Sequence, residues 1–220
     1  MEDSGLTYKQ VEDLKREVRV TLDMNMNSQP LAELGDVDTL KLDEIIESKL
    51  LTAVRMVEAS ASPHLIDMGL HFGDNIGWME RPGEGPGYIE LPEDFLRLVS
   101  FQMSDWSKPV TSPITEDDPR YALQSSRYGG LRGNPQKPVV AIVHEPVGLV
   151  LEFYSCTAGA GVKVKQARYI PLPKIENGKI AISNKLVTAV VHQAASLVAL
   201  SINEDSLAEK MQAICDGLKS

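Results

Sequence analysis

Apolar residues recur at helical spacing near both ends of the chain and crowd into short runs in its middle. Val11, Leu14, Val18 and Leu22 put one apolar stripe on a first helix. Thr7, with Gln10 three positions on, has the form of a capping box that would open it. Asn25 to Asp38, with Pro30 and Gly35 inside, reads as a connecting loop. A second helix is expected from about Asp43 to Ala59, burying Leu42, Ile45, Ile46, Leu50 and Val54. Ser60-Ala61-Ser62-Pro63 stops it, because the residue before a proline is pushed out of the helical region.

From about Phe72 the texture changes: Gly73, Gly77, Pro82, Gly83, Gly85, Pro86 and Gly87 punctuate the chain, and short β-type runs follow. Strands are expected at Gly87–Leu91, Phe95–Met103, Pro109–Ile114, Val139–His144, Gly148–Tyr154, Val162–Tyr169 and Lys179–Ile182. Val162–Tyr169 alternates at first, as a strand with one wet face does. Glu176-Asn177-Gly178-Lys179 carries the Asn-Gly hairpin signal. Helical periodicity then returns. Ser183 or Asn184 should cap a helix reaching about Ser201. Its apolar positions Leu186, Val187, Val190, Val191, Ala194, Leu197, Val198 and Leu200 cover most of its circumference, which places it centrally among other helices. A final helix, about Asp205 to Leu218, bears the stripe Leu207, Met211, Ile214 and Leu218. Neither helical block can close a core alone. The expected fold is therefore α+β: a discontinuous helical bundle, 1–72 with 183–220, and an inserted antiparallel β domain, 73–182, as a sheet or barrel.

The composition, 43% hydrophobic and 24% charged over 220 residues, suits one or two packed domains and excludes wholesale disorder. The longest purely apolar run, Val139 to Val143, is far short of a membrane span, and the first residues lack the pattern of a secretory signal. No membrane partner is expected. A net charge of −9 argues against a protein that coats nucleic acid. Two cysteines, Cys156 and Cys215, make neither a disulfide framework nor a four-thiolate metal site.

Candidate chemistry is sparse. His64 and His71 lie in the loop after the second helix with Asp67 and Asp74 nearby, but their spacing matches no tetrahedral ligand set. His192 reads as a hydrogen-bonded bundle residue, and His144-Glu145 has no nucleophile beside it. No nucleophile elbow is present, and Cys156 reads as a small buried residue. The glycine run Gly83 to Gly87 lacks the helix that would complete a phosphate loop, and Pro86 removes a donor. Glu93-Asp94, after Pro92, reads as a turn into the next strand. No catalytic residue, metal ligand or cofactor is assigned. A small metal-dependent hydrolase using His64 and His71, and a free-standing helical/β binding module, stand as alternatives.

Charge is unevenly spread. Pro119 to Ile170 holds seven basic residues (Arg120, Arg127, Arg132, Lys137, Lys163, Lys165, Arg168) against two acidic, whereas residues 1–72 hold seven basic against fourteen acidic. Such polarity suits a subunit that orients against an oppositely charged neighbour, a local DNA contact, or a solvated face with no partner. Tyr128-Gly129-Gly130-Leu131-Arg132-Gly133-Asn134-Pro135 is a glycine-rich loop with a basic tip, a candidate contact element. The candidate contacts are Tyr128, Leu131 and Arg132 with Arg120 and Arg127, together with Trp106, which beside its loop either anchors a neighbour or fills the edge of the core. The stripe Leu207, Met211, Ile214 and Leu218 fills either a partner's groove or the chain's own bundle.

The segment Tyr88 to Ile114, YIELPEDFLRLVSFQMSDWSKPVTSPI, resembles the opening of the β domain in head-to-tail connector proteins of tailed bacteriophages, also called adaptor or head completion proteins. In that family a Leu-Pro-x-Asp-Phe-type turn opens a strand, followed by an aromatic-containing turn. The matching residues are Leu91, Pro92, Asp94, Phe95, Leu96 and Trp106. The helix pair, inserted β region and C-terminal helices are also similar to adaptors of short-tailed phages. The texture of SFQMSDW and RGNPQKPVVAIV is similar to proteins of phages of gut Bacteroides-type hosts, including crAss-like ones. The resemblance implies a homo-oligomeric ring, usually of twelve copies, stacked beneath the portal protein and receiving tail or further ring proteins. Genomic DNA would pass through without sequence-specific binding. It implies a virion protein of the portal vertex, made in the host cytoplasm, with no catalysis, and a C-terminal segment (Ser206 to Ser220) that docks on the portal.

Overall fold

The periodic segments at the two ends of the chain form helices that bury their apolar sides together. The computed structural model describes residues 6–23, 42–73, 75–78, 87–126, 128–146, 148–156 and 161–220. In chain order its elements are β1 (Tyr8–Gln10), α1 (Val11–Asp23), α2 (Leu42–Ser60), β2 (Leu70–His71), β3 (Gly77–Trp78), β4 (Gly87–Glu90), β5 (Phe95–Met103), β6 (Ile114–Thr115), α3 (Pro119–Leu123), β7 (Val140–Glu145), β8 (Gly148–Phe153), β9 (Val164–Pro171), β10 (Ile175–Glu176), β11 (Lys179–Ala181), α4 (Val187–Ser201) and α5 (Asp205–Leu218). The chain is an α+β protein of two units. Met1–Asp67 with Leu172–Ser220 forms a helical unit, and Met68–Pro171 forms a β unit. The loop expected over Asn25 to Asp38 lies outside the described residues.

In the helical unit, Val11, Leu14, Val18 and Leu22 of α1 and Ile46, Leu50, Ala53, Val54 and Val57 of α2 share one core with α4 and α5. α4 packs against α1, α2 and α5 and is buried on most sides, as its all-round apolar pattern requires. The Thr7–Gln10 capping box does not form. Tyr8–Gln10 is instead a strand laid antiparallel on β11, and Val11 N–H donates to the Gly178 carbonyl at 2.9 Å. The ladder supplies the backbone partners a cap would have given. Asn177 and Gly178 turn β10 into β11 with φ of 51° and 72°, the positive pair that a two-residue hairpin demands. This hairpin, expected in the β domain, belongs to the helical unit, because β11 pairs with β1 and buries Ile180 in the helical core. Met68 to Phe72 falls in the β unit instead, because β2 pairs with β9.

A polar knot ties the point where the chain leaves the helical unit to the start of α4. The Asp67 carboxylate accepts from Thr7 Oγ1 at 2.8 Å and from the Asn184 N–H at 3.2 Å. Asp67 N–H donates to Ser183 Oγ at 3.1 Å, and Ser183 donates its N–H (2.8 Å) and hydroxyl (3.0 Å) to the buried Glu58. The helical turn Asn184–Leu186 that leads into α4 therefore takes its cap from Asp67, remote in sequence, and not from the Ser183 or Asn184 side chain. His192 Nδ1 lies 2.8 Å from the Thr188 carbonyl one turn back on α4.

The β unit packs a three-stranded sheet, β2-β9-β5, and a five-stranded sheet, β3-β4-β8-β7-β6, around Phe72, Ile89, Leu98, Phe101, Met103, Leu151 and Phe153. A second small core, Ile114, Ala141, Val143, Val150 and Tyr154 with Tyr121 and Tyr88, lies on α3's side of the five-stranded sheet. β5 spans the expected residues. Pro109–Ile114 does not form the expected strand, since Pro109 and Pro113 have no N–H for a ladder. Val110 makes only a bridge to Phe101, and β6 is a two-residue strand parallel to β7. Among the described residues no helix is long and apolar enough to cross a membrane.

Candidate functional site

The glycine-rich loop before β7 begins at α3, and its geometry is set by side chains at its base. Pro119 occupies the first helical turn, and Asp118 caps α3 by accepting the Arg120 N–H at 2.8 Å. The Arg120 guanidinium folds back on the same carboxylate at 2.6 Å. Hydrogen bonds from that guanidinium, then from the Arg120 N–H, hold the Asp118 carboxyl down to about 2. Arg120, expected at a subunit interface, pairs with Asp118 at the start of its own helix and keeps its side chain 66% exposed.

α3 is fastened to the sheet beneath it. Tyr121 and Tyr154 both donate to the buried Glu152, Tyr121 at 3.2 Å, and their rings meet edge-on with centroids 6.4 Å apart. Burial first, then the Glu152 carboxylate, raises the Tyr154 hydroxyl well above the ordinary tyrosine range. Gln124 closes the loop: its Nε2 donates to the Arg120 carbonyl at 2.9 Å and its Oε1 accepts the Gly133 N–H at 2.8 Å. Gly133 has to be glycine for close approach, since a Cβ there would lie 2.2 Å from Ser155 Oγ. That Oγ accepts the Val139 N–H at 3.0 Å, and Ser107 N–H donates to the Pro135 carbonyl at 2.9 Å.

The apex is the opposite of its base. Leu131 N–H donates to the Tyr128 carbonyl at 3.0 Å across a turn, and a Cβ at Gly129 or Gly130 would meet nothing within 4 Å among the described residues. Leu123, Tyr128 and Leu131 stand 42%, 59% and 54% exposed. Anchoring at both feet fixes where the apex is presented, which lowers the part of the ordering cost of binding that falls on the base. Arg132 is half-buried beside the apex, and Arg127 lies outside the described residues.

Other candidates separate. Trp106 does not face a partner: it is 4% exposed, stacks edge-on against Phe101 and donates its indole N–H to the Ser155 carbonyl at 3.2 Å. Its flanking loop made it look peripheral, but the indole turns inward to fill the space between the sheets. Of the α5 stripe, Leu207 and Met211 close the chain's own core with Ala208 and Cys215, while Ile214 and Leu218 remain exposed. Asp67 is occupied by Thr7 and Asn184, His64 offers its carbonyl to Lys185 Nζ at 3.0 Å, and Asp74 lies outside the described residues. Among the described residues, no three His, Cys, Asp or Glu side chains gather for a metal. Burial pushes the Cys156 thiol up to about 12, far from a reactive thiolate.

No family model matches the chain, and no curated protein is detectably similar to it. The site's chemistry must speak from its own residues. It offers an apolar, preorganised contact.

Proposed function

We propose that the chain is a structural subunit of the head-to-tail connector of a tailed bacteriophage, forming a ring beneath the portal that joins capsid to tail and lines part of the DNA channel. The observation that carries this reading is the anchored loop with exposed Tyr128 and Leu131, beside exposed Leu123 at the end of α3, a surface suited to contact with another protein. Two features support it. The Leu91-Pro92-x-Asp94-Phe95 segment on which the family resemblance rests is a turn, closed by Phe95 N–H on the Pro92 carbonyl at 2.9 Å, that opens β5. The chain's net charge of −9 suits the wall of a channel that must pass DNA without gripping it. The exposed Ile214 and Leu218 on α5 are the remaining surface of the C-terminal stripe for the portal.

Rate-zonal sedimentation of lysate from the producing cells, with the chain located by blotting, tests the reading. Comigration with nuclease-resistant particles in the megadalton range is the expected result. Recovery only near the top of the gradient overturns it.

A further inference from the structure

The strands of the β unit give it two chemically different ends. β4 reaches Glu90, turns through Pro92 and hands over to β5, which runs back the other way, and Leu91 N–H joins this corner to the Leu149 carbonyl at the start of β8. Glu145, paired with Gly148, closes β7 at the same end. That end therefore carries Glu90, Glu93, Asp94 and Glu145. The opposite end holds the loops that follow β5, precede β7 and precede β9, and these are stitched together. Ser107 N–H donates to the Pro135 carbonyl at 2.9 Å, Ser104 N–H to the Lys163 carbonyl at 2.8 Å, and Lys163 N–H to Ser104 Oγ at 3.1 Å. They bear Lys108, Lys137 and Lys163, all exposed and in no ion pair among the described residues, with Asp105 as their one acid. The loop carrying Tyr128 and Leu131 runs directly into this lysine end through Gly133.

Along β2, β3 and β4 runs a cleft of about 690 Å³. Buried Phe72, Ile89 and Leu91 lie under it, and exposed His71, Glu90 and Glu93 stand around it. Its surface complements the other end: carboxylates of Glu90 and Glu93 beside the partly exposed apolar side chains of Ile76, Tyr88 and Pro92, against exposed Tyr128 and Leu131 with lysines nearby in the chain. Phosphates of DNA would satisfy the lysines but offer nothing apolar to Leu123 and Leu131. The cleft offers carboxylates to the lysines and the partly exposed Ile76, Tyr88 and Pro92 to the leucines.

We propose that the β unit binds a second copy of this chain head to tail, the lysine-flanked apex of one copy seated on the Glu90/Glu93 cleft of the next. Two different surfaces meeting in this way propagate, and close into a ring if the rotation between copies permits. The inference deepens the connector reading, on which the ring rests, by naming the two faces that meet.

Sedimentation velocity of the full chain at low salt, taken up to about 1 mM to catch weak contacts, tests it. The wild type is expected to self-associate, and salt to weaken the contact. Lys137→Glu/Lys163→Glu and Glu90→Lys/Glu93→Lys should each weaken association roughly tenfold or more, since each brings like charges together. Mixing the two variants should restore association, because each junction between unlike variants is again one of opposite charges. Far-UV dichroism of each variant checks that it is folded. A wild type that stays monomeric throughout, charge-swapped variants that associate like the wild type, or a mixture no stronger than its parts would overturn the proposal. So would retention of duplex DNA, lost in the lysine variant, by a chain that does not self-associate. Particle incorporation separates the two readings. Wild-type and swapped chains entering particles equally would leave the connector and remove this interface, whereas charge-dependent association by a chain absent from particles would do the reverse.

Discussion

The two units solve the same burial problem with different materials. Among the described residues the helical core has no aromatic ring and is built from Val, Leu, Ile and Ala with one methionine and one cysteine. The ring-to-ring contacts among the described residues all lie in the β unit, where Phe72, Phe101, Phe153, Trp106 and Tyr169 interlock. Helices bring small side chains together at close crossing distance, and Ala189, Ala194, Ala195 and Ala199 let α4 sit in the middle. Two short-stranded sheets must span a wider gap, and large rings fill it. The consequence is that one core is spread over many small contributions, while the other depends on a few large ones.

The largest break in this contrast comes from Phe101→Ala, which empties the centre of the ring cluster and should cost about 3–5 kcal/mol. Both tryptophans, Trp78 and Trp106, lie in the β unit, so denaturant unfolding followed by tryptophan fluorescence should shift while the helical dichroism signal moves much less. Coincident shifts by both probes would mean that the two units unfold as one. Leu50→Ala, in the aliphatic core, should cost about 2–5 kcal/mol and invert the pattern, moving the dichroism first. The two thiols sharpen both tests, since Cys156 belongs to the β unit and Cys215 to the helical unit, and both are buried with their pKa values raised by burial. Phe101→Ala should speed alkylation of Cys156 alone, and Leu50→Ala that of Cys215 alone.

A smaller effect is expected from Gly133→Ala. The new methyl displaces the Ser155 hydroxyl from Val139 and should cost about 1–3 kcal/mol, partly recovered by adding Ser155→Gly, as thermal melts would record. Smallest is the pH response of the α3 cap. The Asp118 carboxyl titrates at about 2 when folded, below its ordinary value of 3.8, so the cap's contribution is fully present above about 4 and fades as pH falls toward 2. A carboxyl-carbon NMR titration should place the midpoint near 2, and Arg120→Ala should move it up toward the ordinary value.

How much of this was legible beforehand follows from the range of each interaction. The stripes of α1 and α2, the bounds of β5 and the Asn177-Gly178 turn are local patterns, and the structure keeps them. Tyr8–Gln10 became a strand because β11 lies beside it, and no short-range signal announces such a partner. Trp106 read as peripheral for the same reason: its burial depends on Phe101 and Ser155, and the second of these arrives much later in the chain. α3 was missed although a signal existed, since Asp118-Pro119 is a helix-opening pair. At the candidate site, Tyr128 and Leu131 could be picked out from their glycine setting. The anchoring of the loop by Gln124, Gly133 and Ser155 could not.

The discontinuity of the helical unit has a consequence for how the chain is made. Synthesis runs from the N-terminus, and domains close as their segments emerge from the ribosome. α1 and α2 leave the tunnel first, yet α4, the helix their buried sides share, follows only after the whole β unit has been translated. A nascent chain halted at Pro171 thus holds every strand of the β unit while the helices made before it still lack the centre of their core. The inserted unit is complete first, and the unit that encloses the insertion is finished last.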